Sequence, residues 1–123
     1  MRNHKPKILI VDDEKSFTKL TKLALSEYEI LEENNSARAL ETARKFQPDL
    51  ILLDVVMPDF DGGDIAAQIH ADPALKDVPI VFLTAIVTEK ETEKQQLFGG
   101  YPFIAKPVTP EKLVENIEKY LAV

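Results

Sequence analysis

The chain has 123 residues, enough for one domain with a hydrophobic core and too few for a second of ordinary size. Acidic residues outnumber basic ones by 21 to 15, and a net charge of -6 disfavours nucleic acid as a direct partner, because such binding depends on Lys and Arg. The absence of cysteine excludes disulfides, thiol nucleophiles and thiolate metal sites, so any metal ligands must be oxygen atoms or His.

The aliphatic runs are short, far below the roughly 20 residues that a membrane span requires. The first residues, MRNHKPK, lack the apolar segment of a secretion signal. We therefore expect a cytoplasmic protein that has no contact with the membrane.

Five short apolar runs are predicted strands. Four are strong, ILIV from Ile8, LILL from Leu50, IVFL from Ile80 and FIA from Phe103, and a weaker fifth, YEIL from Tyr28, would be an edge strand. Runs without polar alternation are typical of strands covered on both faces, as in a parallel sheet with helical crossovers.

Apolar residues at helical spacing lie around and between these runs. They are Phe17, Leu20 and Ala24; Ala39, Leu40 and Ala43; Ile65 and Ile69; and Leu113, Ile117 and Leu121. Ser36 is predicted to cap the second helix, Thr88 begins a capping box at the fourth, and Thr109 followed by Pro110 begins the last.

Five alternations of strand and helix predict an α/β fold. With right-handed crossovers the expected architecture is a single doubly wound (βα)5 three-layer sandwich, in which a parallel five-stranded sheet has the flavodoxin-like order 2-1-3-4-5. We expect one domain over residues 1–123, with a core of about 6–121.

Polar residues follow the ends of the central predicted strands. They are Asp12, Asp13 and Glu14 after the first run, Asp54 after LILL, Thr84 after IVFL, and Lys106 after FIA. In a parallel sheet these ends share one edge, where ligands of open α/β sheets bind. A charge is costly to hold at the end of a core strand such as LILL unless something nearby stabilises it, so Asp54 is the strongest single candidate.

The chemistry of this edge indicates phosphoryl transfer. Three carboxylates, those of Asp12, Asp13 and Asp54, repel one another and therefore imply a cation, and an all-oxygen ligand set suits Mg²⁺ or Mn²⁺. With Lys106 and the Thr84 hydroxyl, such a cation would neutralise the oxygens of a phosphoryl group in transfer, and Asp54 would be the nucleophile.

These residues carry a resemblance to a known family. DDE from Asp12, D-x-x-M-P-x-x-D-G from Asp54, LTA from Leu83 and KP from Lys106 resemble the motifs of a two-component response regulator receiver domain, over nearly the whole chain. Each motif alone is common, whereas their order on successive predicted strand ends is specific.

The resemblance implies that a sensor histidine kinase, a phosphotransfer protein or a small phosphodonor phosphorylates Asp54. Asp13, Asp54 and the backbone carbonyl of Val56 would hold the metal, with Asp12 close by and partly bound through water. Lys106 would pair with the phosphoryl group. Such a chain is not an enzyme in the ordinary sense, although it assists its own phosphotransfer and autodephosphorylation.

The resemblance also implies a switch and an output surface. Thr84 would move toward the phosphoryl group and Phe103 would turn inward, which alters the face formed by the fourth predicted helix, the last strand and the last helix. A downstream protein or an output domain would bind that face, and the chain would be a monomer or a phosphorylation-dependent dimer. A cis bond before Pro107 is expected as well.

Simpler interpretations of these residues exist. Asp12, Asp13 and Glu14 could cap the first helix, Thr84 could merely end a strand, Lys106 could be a solvated charge, and Phe103 could be a core residue. Two other protein classes fit less well. A dehalogenase-like phosphatase would need a second Asp where Val56 stands. A flavodoxin-type nucleotide binder holds a phosphate at its first loop, and the acidic first loop of this chain would repel that phosphate. The main alternative is a receiver-like interaction module that is never phosphorylated.

Two further expectations concern rate and context. Apolar Val56 and Ile86 stand where many receivers carry polar side chains near the hydrolytic water, so the aspartyl phosphate is predicted to be long-lived.

No output domain follows Val123 in the sequence, so we expect either a free-standing receiver or a piece of a longer regulator or hybrid kinase, and both remain open.

Overall fold

The structure, a computed structural model, describes residues 5–54, 56–57, 60–84, 97–98, 101–105 and 109–121. The strands in chain order are β1 (Lys7–Val11), β2 (Glu29–Glu33), β3 (Leu50–Asp54), β4 (Val56–Met57), β5 (Phe60–Asp61), β6 (Ile80–Thr84), β7 (Leu97–Phe98) and β8 (Tyr101–Ala105). The helices are α1 (Lys15–Ala24), α2 (Ala39–Phe46), α3 (Gly62–Ala71) and a C-terminal helix (Pro110–Leu121), and a short 3₁₀ helix spans Ser36–Arg38.

The five longest strands form a parallel sheet in the predicted order. The full order is β2-β1-β3-β6-β8-β7, and every pairing between long strands is parallel. Counting the long strands alone gives 2-1-3-4-5, which confirms the expected topology and places the weak run from Tyr28 at one edge, as β2.

Helices cover both faces of the sheet, which explains the unbroken apolar runs. Alternate strand residues such as Leu9, Ile51 and Phe82 pack on one face with residues of α2 and α3. Their neighbours, such as Ile10 and Leu52, pack on the other face with the end of α1 and the C-terminal helix. All five residues of β3 are buried, so the expected three-layer sandwich is confirmed.

The apolar stripe predicted for α1 is wrong in part. Leu20 is 66% exposed and Ala24 is exposed as well, while Thr18 and Thr21 are buried. The two threonine hydroxyls donate to main-chain carbonyls one turn earlier, at 3.1 and 2.8 Å. A hydroxyl satisfied within its own helix can be buried at little cost, so the polar residues take the inner positions.

The caps are partly as predicted. The Thr109 hydroxyl accepts the Lys112 N–H at 3.2 Å, which confirms the cap of the C-terminal helix. Ser36 is not the cap at the second helix, because the Asn35 side chain accepts the Ala37 N–H at 3.0 Å and begins the 3₁₀ helix that leads into α2.

Three short strands were not predicted from the sequence. Strands β4 and β5 form an antiparallel pair directly after β3, and β7 adds an antiparallel strand beside β8. The predicted fourth helix, with the capping box at Thr88, lies outside the described residues.

Asp72, between α3 and β6, shows how this fold compensates a buried acid. The Arg44 guanidinium donates to its carboxylate, and the Ala74 N–H donates to it at 2.9 Å. These donors, the Arg44 hydrogen bond first, hold the pKa of Asp72 below its usual range.

Among the described residues, no helix is both long and apolar enough to span a membrane.

Candidate functional site

The acidic residues at the ends of β1 and β3 lie side by side. Val11 pairs with Leu53 in the parallel register, so Asp12 and Asp54 each come one position later on adjacent strands. Asp12 is fully buried and Asp54 is 7% exposed. The apolar run of β3 therefore stops on a carboxylate because it has reached the carboxyl edge of the sheet.

Asp13 completes a cluster of three carboxylates at this edge. One oxygen from each of Asp12, Asp13 and Asp54 lies within 4.8 Å of the others. Asp13 is exposed, so the cluster combines two buried acids with one that solvent can reach. The structure thus brings together three residues that are up to 42 positions apart in the chain.

The loop that carries Asp12 and Asp13 is fixed by hydrogen bonds at its start. The Asp12 N–H donates to the Glu33 carbonyl at 3.1 Å, which extends the pairing of β1 with β2. The Asp12 carboxylate accepts the Glu14 N–H at 2.9 Å. Glu14 occupies the N-cap position of α1 without a side-chain cap bond, so the helix-cap interpretation fails for that side chain.

Asn34, just after β2, belongs to the same region, and the sequence reasoning missed it. Its side-chain amide donates to the Asp12 carbonyl at 2.8 Å and to the Thr18 hydroxyl at 3.0 Å. The signal that could have found Asn34 is its position at the carboxyl end of an edge strand beside β1. That position lies on the same sheet edge as the acids.

The dimensions and donor chemistry of the cluster fit a small divalent cation. Oxygen ligands about 2.1 Å from an octahedral Mg²⁺ are at most about 4.2 Å apart. A cluster whose three carboxylate oxygens all lie within 4.8 Å of one another is of similar size. Three carboxylates in one place could hold such an ion.

The other predicted site residues are placed through the backbone alone or lie outside the described residues. Asp54 pairs with Leu83, so Thr84 ends β6 at the same edge, and Thr84 pairs in turn with Ala105. Val56 lies in β4, two positions beyond Asp54. Lys106, Pro107 and Ile86 lie outside the described residues.

Phe103 lies in β8, opposite Phe82 of β6. It is half-buried and packs against the core cluster on the α2 and α3 face. Phe103 is therefore a core residue in this structure, in agreement with the simpler interpretation, and the predicted aromatic switch remains a prediction.

The fold and this edge define a class of protein: an open, doubly wound α/β domain with an acidic cluster where its central strands end. The profile of the response regulator receiver domain family matches residues 8–118. The chain is 30% identical over 116 residues to the polar-differentiation response regulator DivK of Brucella anthropi, covering 93% of this chain and 94% of that protein. It is 36% identical over 125 residues to the probable transcriptional regulator ycf27 of Pyropia yezoensis, covering 98% of this chain.

Solved structures show the same likeness. A putative response regulator from Chloroflexus aurantiacus has a TM-score of 0.81 at 28% identity, covering 96% of this chain and 98% of that one. The chemotaxis protein CheY4 of Vibrio cholerae has a TM-score of 0.80 at 26% identity, covering 94% and 98%.

The chain belongs to the response regulator receiver domain family of two-component signalling. Domains of this family interact with histidine kinases and with downstream effectors. The chain spans 49% of the length of its ycf27 relatives, and 94% of DivK.

Proposed function

We propose that this chain is the phosphoacceptor of a two-component system and that Asp54 accepts the phosphoryl group in a magnesium-dependent reaction. The observation that carries this proposal is the carboxylate cluster of Asp12, Asp13 and Asp54, within 4.8 Å at the carboxyl edge of a receiver fold. Cognate donors would be a sensor histidine kinase or a phosphotransfer protein, and a small phosphodonor would serve in solution.

In the proposed reaction an oxygen of Asp54 attacks the phosphorus of the donor. A P–O bond to Asp54 forms while the bond from phosphorus to the donor nitrogen or oxygen breaks, and the donor departs with that electron pair. The Lys106 ammonium and the Thr84 hydroxyl would pair with oxygens of the transferring group. The rigid placement of Asp54 at the end of a fully buried strand supports this role, because a fixed nucleophile loses little freedom on reaction.

Asp13, Asp54 and the Val56 carbonyl would hold Mg²⁺ or Mn²⁺, with Asp12 nearby and partly bound through water. The bound cation supplies positive charge that offsets the repulsion between carboxylates and the incoming phosphoryl oxygens. The exposure of Asp13 gives that cation access from solvent.

Mass spectrometry of the intact protein tests this function. Incubation with acetyl phosphate and Mg²⁺ is expected to add the mass of one phosphoryl group, and EDTA is expected to prevent the gain. Absence of any adduct under conditions in which Mg²⁺ demonstrably binds would favour the alternative, an interaction module that is never phosphorylated.

Asp13→Asn is expected to weaken Mg²⁺ binding by more than about 10-fold, because a neutral amide replaces a charged ligand. The melting temperature without metal is expected to rise by a few degrees, since the substitution relieves repulsion within the cluster. Isothermal titration and thermal melts with and without Mg²⁺ measure the two effects.

The matched control for that experiment is Asp77→Asn, which makes the same charge change at an exposed residue of the loop before β6, outside the cluster. The Mg²⁺ affinity and the melting temperature without metal should both stay at the values of the unsubstituted protein. Equal effects of the two substitutions would show that net charge, and not the cluster, controls metal binding.

We also propose that phosphorylation shifts Thr84 and Phe103 and so changes the face formed by the fourth predicted helix, β8 and the C-terminal helix. The half-buried ring of Phe103 supports this, because it has room to become more buried. The chain has no Trp, so Phe103→Trp provides a single fluorescent reporter. Its emission is expected to shift to the blue when Mg²⁺ and beryllofluoride are added together, and an unchanged spectrum despite bound beryllofluoride would contradict the switch.

Val56→Asn is expected to shorten the lifetime of the aspartyl phosphate, by about 10-fold, because a polar side chain two positions beyond Asp54 can orient the hydrolytic water. Decay of the adduct mass after removal of the donor measures this lifetime. Unchanged decay in Val56→Asn, equal to that of the apolar control Val56→Ile, would refute the role assigned to the apolar side chain.

As for extent and partners, we propose one domain over residues 1–123 with a core of about 6–121. A downstream protein or an attached output domain would read the switched face, either from a monomer or from a phosphorylation-dependent dimer. Sedimentation velocity with and without beryllofluoride distinguishes these two states.

A further inference from the structure

The side chain of Asn34 joins two separate parts of the acidic loop. Its amide nitrogen donates to the Asp12 carbonyl at 2.8 Å and to the Thr18 hydroxyl at 3.0 Å. A carbonyl oxygen only accepts, so the amide must present its NH₂ group there, and the two N–H bonds serve the two acceptors. Asn34 itself is half-buried at the carboxyl end of an edge strand.

The two acceptors lie at opposite ends of the segment that carries the exposed metal ligand. Asp12 begins the loop, and Thr18 lies in the first turns of α1, with Asp13 between them. The Thr18 hydroxyl donates its own proton to the Lys15 carbonyl at 3.1 Å, which leaves its lone pairs for Asn34. One side chain from the end of β2 therefore bridges the loop from its first residue to the helix that follows it.

Burial makes these bonds costly to lose. Asp12 and Thr18 are both fully buried, so an acceptor deprived of Asn34 would lack a water partner unless the loop moved. Movement of the loop displaces the carboxylates of Asp12 and Asp13 relative to Asp54, which is held separately by β3. Ligands of a small octahedral cation tolerate little displacement.

We propose that Asn34 is a positioning residue for the metal site: it holds the Asp12–Asp13 loop at the spacing from Asp54 that a divalent cation requires. This inference deepens the proposed function and rests on its magnesium site. In this role Asn34 acts through the main chain of Asp12 and the start of α1, the two places to which its amide donates.

Asn34→Asp is the sharpest test, because it keeps the size of the side chain and removes the NH₂ donor. Titration with Mg²⁺, followed by the amide NMR signals of Asp13 and Glu14, is expected to show a Kd about 10-fold higher than that of the unsubstituted protein, the size of effect typical of residues that orient ligands. Thr18→Val removes one of the two acceptors of Asn34, together with the bond from the hydroxyl to the Lys15 carbonyl, and should raise the Kd about 3-fold.

Asn35→Asp is the matched control, since it makes the same charge change at the adjacent residue of the same type, whose side chain caps the 3₁₀ helix instead. Its Kd for Mg²⁺ should equal that of the unsubstituted protein, even if its melting temperature falls. Without metal, amide hydrogen exchange at Asp13 and Glu14 should be faster in Asn34→Asp and in Thr18→Val than in the unsubstituted protein, and unchanged in the control. This measurement does not depend on metal binding.

The outcomes separate this inference from the function on which it rests. Unchanged Mg²⁺ affinity in folded Asn34→Asp, or an equal loss in Asn35→Asp, would overturn the positioning role and leave the magnesium site intact. Failure of the unsubstituted protein to bind Mg²⁺ would overturn the magnesium site itself and the positioning role with it.

Discussion

Asp54→Asn is expected to abolish the gain of phosphoryl mass from acetyl phosphate and Mg²⁺. Asparagine keeps the shape of the side chain at the end of β3 but replaces the nucleophilic carboxylate with an amide, whose oxygen is a poor nucleophile. Asp54 is 7% exposed within a cluster of three carboxylates, so the neutral variant should also melt at a higher temperature without metal.

The measurement is intact mass, followed by peptide mapping of any adduct that remains. Asp77→Asn serves again as the charge-matched control and should gain the phosphoryl group as the unsubstituted protein does. An adduct retained by Asp54→Asn would place the acceptor elsewhere, and mapping to Asp13 would show that the exposed acid of the cluster is the nucleophile.

Much of the fold could be predicted because the sheet is covered on both faces. Strand β3 is apolar up to its last residue, and the carboxylate of that residue, Asp54, marks the carboxyl edge of the sheet. Because parallel strands end at a common edge, locating the strands also located the acids, and the cluster of Asp12, Asp13 and Asp54 follows from the topology.

The inner face of α1 could not be predicted from apolar spacing. The spacing selected Leu20, yet Thr18 and Thr21 are the buried residues. Hydrophobicity scales count a hydroxyl as polar, whereas a hydroxyl bonded to its own helix has no unmet donor to bury. Asn34 was missed for a related reason, since its role depends on a neighbouring strand 22 residues away along the chain and not on any local pattern.

Leu52→Ala is expected to lower the free energy of unfolding by about 3 kcal/mol, the largest stability effect among these substitutions. Leu52 is fully buried in β3, between Ile10 of β1 and Val81 of β6 in the register, and packs in the core cluster beneath the C-terminal helix. Its truncation leaves a cavity in the centre of a sheet whose neighbouring strands cannot close it without losing their hydrogen bonds.

Leu20→Ala is the matched control, because it removes the same atoms from a side chain that is 66% exposed on α1. Its effect should lie within about 0.5 kcal/mol, since alanine favours the helix and little contact is lost. Urea denaturation measures both variants through the transition midpoint, provided that the slope is unchanged. A comparable loss of unfolding free energy in Leu20→Ala would show that the exposed leucine of α1 is packed in solution. The expected difference between the two variants would show that burial, and not residue type, decides what each leucine contributes to stability. Folded Leu52→Ala should still be phosphorylated, because Asp54 keeps its chemistry.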